Sequence, residues 1–116
     1  MGSTTREPFA VEADLVLHAG TDPRAPGGQV TVALCGHWEH EGACRWPHNT
    51  SIDGDAVPAR LRTVVVVRDD ERAEVESRIE GALHGDDRWS VTGFAVGAIR
   101  PDEAALAGRL GEVACD

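Results

Sequence analysis

The segment from Leu34 to Ser51 reads LCGHWEHEGACRWPHNTS and holds Cys35, His37, His40, Cys44 and His48. These five are most of the chain's eight cysteines and histidines, and they fall within 14 residues, where an even spread would put about one. Thiolate and imidazole are the ligand types zinc takes, and four of them in a tetrahedron make a closed structural site. Cys35, His37, Cys44 and His48 are the expected set, with His40 as an alternative ligand or a hydrogen-bond partner of one. The short spacings keep the chain-closure entropy small, and Gly42 lets the chain reverse. The pattern C-x-H-x2-H-x3-C-x3-H is not that of a standard zinc finger.

The same residues admit other chemistry. A helical turn over 37–44 would put His37, His40 and Cys44 on one face and leave a coordination position for water. Glu39 or Glu41 would then stand near as a base, and the chain would be a metal- or thiol-dependent enzyme. Cys35 and Cys44 could instead close a disulfide in an oxidising compartment. In the plainest reading the cysteines are small buried apolar groups and the histidines are solvated. The chain would then be a dimeric interaction module without metal. The leading expectation is a small metal-binding protein in which zinc fixes a long loop for contact with a protein or small-molecule partner.

Features outside the segment carry less. Trp38 and Trp46 flank the cluster and suit a dry wall or a core anchor. His18, on a neighbouring strand, is a candidate to face the cluster, although a lone strand histidine is usually structural. Arg60, Arg62 and Arg68 suit either an anionic ligand or pairing with the chain's many carboxylates, the second being the commoner use. Cys115 is read as a free thiol. There is no Gly-rich phosphate loop and no nucleophile elbow.

Composition narrows the partners. The formal charge of −9, with arginine as the sole basic residue type besides histidine, gives no basic run for nucleic-acid phosphates. No apolar run approaches a membrane span, and the first residues lack the apolar stretch of a signal peptide. Those readings, with an odd cysteine count, place the chain in the cytoplasm, where thiols stay reduced.

The elements that must position the cluster follow from apolar periods. Residues 1–10 read as a mobile N-terminal segment and residues 11–116 as a single domain. Strands are expected at Val11–Ala19, Gln29–Trp38, Arg60–Arg68 and Trp89–Ile99, helices at Asp70–His84 and Pro101–Leu110, and a loop-rich stretch at 39–59. In the second strand Cys35 and His37 would share a face. The four valines at 64–67 ask for cover on both faces. The fold expected is α+β: two layers, about four strands in a mixed sheet, and two helices on one face. A ferredoxin-like arrangement fits this element order only imperfectly. The uncovered sheet face, with the tryptophans as anchors, points to a homodimer.

Overall fold

In the computed structural model, residues 6–35 and 46–112 are described. Strand β1 (Arg6–Leu17) is followed by helix α1 (Ala25–Cys35), strands β2 (His48–Asp53) and β3 (Ala59–Arg68), helix α2 (Arg72–His84), strand β4 (Trp89–Gly97) and helix α3 (Ala104–Glu112). Short 3-10 turns lead into α2 and α3. The sheet order is β2-β3-β1-β4, and every neighbouring pair is antiparallel. The α+β class and the four strands agree with the sequence reading, while the pairing is wholly antiparallel rather than mixed. Strands β3 and β4 do run in the same direction, joined through α2, but β1 lies between them. The order β-α-β-β-α-β is the ferredoxin-like one, with α3 appended.

The expected strand at Gln29–Trp38 is instead α1, as far as Cys35. Val30, Val32 and Leu34 recur every second residue, but Pro26, Val30 and Leu34 also recur every fourth. The structure uses the second period: Pro26, Val30 and Leu34 are buried, while Val32 is 37% exposed. Pro26 lies in the first turn, where its missing N–H costs nothing. The stretch at 39–59 contains β2, whose register sets His48, Thr50 and Ile52 opposite Val65, Thr63 and Leu61 of β3. At the N-terminus β1 begins at Arg6, so residues 6–10 belong to the sheet rather than to a mobile segment.

Side chains alternate across the sheet. Phe9, Val11, Ala13 and Leu15 of β1 join Leu61, Val65 and Val67 of β3 beneath α1 and α2, which supply Val30, Leu34, Val75, Ile79 and Leu83. Trp89 closes one end of this core and donates its indole N–H to the Leu83 carbonyl at 2.9 Å. That carbonyl is one of those a helix C-terminus leaves unpaired.

The opposite face carries Ala10, Val64 and Val66, all buried. Helix α3 packs there on β3, with Gly111 close to Val66, and Ala107 is its buried residue. The valine run is therefore covered on both faces, as its composition requires, but by helices on both sides of the sheet. This cover lies over part of the face whose openness motivated the homodimer. Arg62 fixes α3 from below: it donates to Glu103 at 2.7 and 2.6 Å and to Glu12 at 2.7 Å. Its guanidinium holds the Glu103 carboxyl down at about 2. None of the described helices is long and apolar enough to cross a membrane.

Candidate functional site

The candidate site lies between the C-terminal half of α1 and the first residue of β2. His48 is on the helix-facing row of β2, and α1 lies over that row. The side chain is held at both ring nitrogens: Nδ1 is 3.2 Å from the Trp46 carbonyl and Nε2 is 3.2 Å from Thr31 Oγ1. A carbonyl only accepts, so the Trp46 contact assigns the proton to Nδ1. Nε2 of the neutral ring then accepts from the Thr31 hydroxyl, which otherwise donates to the Gly27 carbonyl at 3.1 Å. An Nδ1–H bonded to a backbone carbonyl, which leaves Nε2 as the lone-pair nitrogen, is the usual posture of a metal-binding histidine; here Nε2 faces α1.

Cys35 is the last residue of α1 and follows Thr31 by one helical turn. The helix terminus and the start of β2 thus bring Cys35 and His48 to the two ends of the intervening segment. The end of α1 is also the negative end of its dipole, which favours a cation. Arg78 of α2 stands near the same end, donating to the Ala33 carbonyl at 3.4 Å, with its guanidinium 4.8 Å from the centre of the Trp46 ring. Trp46 is a core residue at 3% exposure. Below His48 a cleft of about 340 Å³ opens between α1 and β2, lined by Gly27, Thr31, His48, Thr50 and Ile52 among others. On its floor Thr50 Oγ1 bonds Thr63 Oγ1 at 2.9 Å.

His37, His40 and Cys44 lie outside the described residues, as do Trp38, Glu39, Glu41 and Cys115. Among the described residues, no group of three or more His, Cys, Asp or Glu is placed to hold a metal. His18 and His48 lie toward opposite ends of the sheet. His18 follows the C-terminal end of β1 and bonds Ser90 Oγ at 3.4 Å, whereas His48 aligns through Val65 with Phe9, at the other end of β1. Arg60 pairs with Asp14 and Glu12, Arg62 with Glu12 and Glu103, and Arg68 with Glu71 and Asp70. The hydrogen bond that Arg60 donates to Asp14 holds its guanidinium further into its charged range, and the one that Arg62 donates to Glu103 does the same there.

Thr31 is the site residue that the sequence did not single out. Its spacing of four from both Gly27 and Cys35 becomes meaningful only once the segment is a helix. No family model, curated protein or solved structure matches the chain.

Proposed function

We propose that the chain is a small zinc-binding protein in which Cys35, His37, Cys44 and His48 hold one metal ion, with His40 as the alternative ligand or a hydrogen-bond partner of one. The observation that carries this reading is the posture of His48, fixed at Nδ1 by the Trp46 carbonyl, with Nε2 facing the helix that ends in Cys35. Binding would replace the Thr31 hydroxyl at Nε2, which leaves Thr31 its Gly27 partner. The ion would tie the end of α1 to the start of β2 and fix the chain between them for contact with a protein or small-molecule partner. Zinc binds cysteine as thiolate, so the cysteines must be free of disulfides, which a reducing compartment such as the cytoplasm ensures.

Elemental analysis of untagged protein purified without chelator tests the reading. One zinc per chain is expected, with most of it lost in Cys35→Ser, Cys44→Ser and His48→Gln and none lost in Cys115→Ser. Metal-free protein that fails to take up added zinc at neutral pH under reducing conditions refutes it.

A further inference from the structure

Among the described residues the sheet has two edge strands, β2 and β4, and they differ. Strand β2 has six residues, ends on Asp53 and runs into a turn carrying Asp55. Strand β4 has nine residues, WSVTGFAVG, with no charge and no proline. Sheet edges are ordinarily blunted by charges, prolines, bulges or a covering segment, because their free N–H and C=O groups accept another strand. Among the described residues β1 runs along one edge of β4, and α2 packs above one of its faces.

A bulge interrupts the β1–β4 register between Asp14 and Leu15, so Thr92 falls outside the register and its hydroxyl donates instead to the Asp14 carbonyl at 3.2 Å. At Gly93 the backbone is crowded there: an added Cβ would lie 2.8 Å from Asp14 Oδ2. Gly93–Gly97 is the regular stretch beyond it. Phe94 and Val96 belong to the helix-facing row, opposite Ala13 and Val11, yet both are only partly buried because the sheet stops at β4. Ala95 and Gly97 are exposed on the other face.

We infer that β4 pairs antiparallel with β4 of a second copy of this chain, centred on Ala95. A two-fold interface must be complementary to itself, and this stretch is. In that register Phe94 lies opposite Val96 of the partner subunit, and the same pair recurs through the symmetry. Aromatic and β-branched residues make favourable cross-strand pairs. Gly93 meets Gly97 of the partner subunit, and the two small Ala95 side chains meet at the axis. Charge points to the same edge: two chains of −9 repel, and an uncharged strand is where they approach at least cost, whereas β2 would bring Asp53 to the contact. The result is one continuous eight-stranded sheet, with α3 left in place. It does not depend on zinc.

Sedimentation velocity of the full chain, with and without chelator, tests this. Dimer is expected at about 10–100 µM. Ala95→Lys sets two like charges face to face and raises the dissociation constant about tenfold or more, with unchanged circular dichroism. Ser51→Lys, at the β2 edge, leaves the dimer intact. Hydrogen exchange of the unmodified protein should show protection of residues 93–97 that increases with concentration, a readout that survives if a variant fails to fold. A wild-type chain that stays monomeric overturns the inference. So does a dimer that Ala95→Lys leaves unchanged, or one that Ser51→Lys breaks. A dimer that dissociates on chelation also overturns it, because it moves the interface to the Cys/His segment.

Discussion

Neutralising one carboxylate, by Glu103→Gln, tests how α3 is held to the sheet. Helix α3 has nine residues, two of them glycine, and Ala107 is its buried one, so little of its attachment comes from apolar burial. The ion pair to Arg62 therefore weighs heavily. The two side chains are 10% and 14% exposed, and their closest contact is 2.6 Å. Glu103 also accepts the Arg100 backbone N–H at 2.7 Å. The hydrogen bond from Arg62 is the largest cause of its depression from 4.5 to about 2, opposed in part by burial. That shift corresponds to roughly 3 kcal/mol at most. Arg62 keeps Glu12 when Glu103 is neutralised, and solvent screens the rim of the pair, so about 1–2 kcal/mol is expected. The sign follows from linkage: a carboxylate whose folded value is depressed stabilises above its unfolded value and loses that contribution as the pH falls. The difference between wild type and variant should be full at pH 7 and shrink between about pH 4.5 and pH 2. Urea unfolding at a series of pH values measures it, and hydrogen exchange over residues 101–112 localises it. A difference below about 0.3 kcal/mol at neutral pH, or one that persists undiminished at pH 2, would refute the reasoning.

Two further outcomes test the fold itself. Val30→Lys should cost more than about 3 kcal/mol, because it buries a charge without a partner, while Val32→Lys should stay within about 0.5 kcal/mol; equal effects would mean that both side chains share a face, as in a strand. Trp89→Phe should lower stability by about 1–3 kcal/mol in chemical denaturation, since the Leu83 carbonyl loses its indole partner; a neutral result would mean water replaces it.

Much of the fold was legible in the sequence because its periods have a single reading. Val75, Ile79 and Leu83 fall at helical spacing and are buried together on α2. Pro101 marks the turn that opens the last helix. Four valines in a row at 64–67 can be satisfied only by cover on both faces, and they are. Two elements were not legible. In α1 the positions Val30 and Leu34 satisfy both a period of two and a spacing of four, and burial of Pro26 with exposure of Val32 decides between them. In β2 the sequence HNTSID has little apolar alternation, because an edge strand buries only one row and in that row His48 and Thr50 are polar and only Ile52 is apolar. Its strand character comes from the ladder that β3 offers.

The sequence by itself determined the crowding of cysteine and histidine between residues 35 and 48, the acidity that argues against phosphate binding, and the apolar periods of the strands and helices around Val64–Val67, Val75–Leu83 and Trp89–Val96. These are local properties, and local chemistry suffices to read them. The tertiary structure alone decided that Thr31 meets His48, that Arg62 reaches Glu103, and that α3 covers the face opposite α1 and α2. Those pairs are 17 and 41 residues apart. Sequence spacing carries no information about such distances; the packing of α1 on β2 and of α3 on β3, over a sheet whose register is fixed by burial of one side-chain row, brings them into contact.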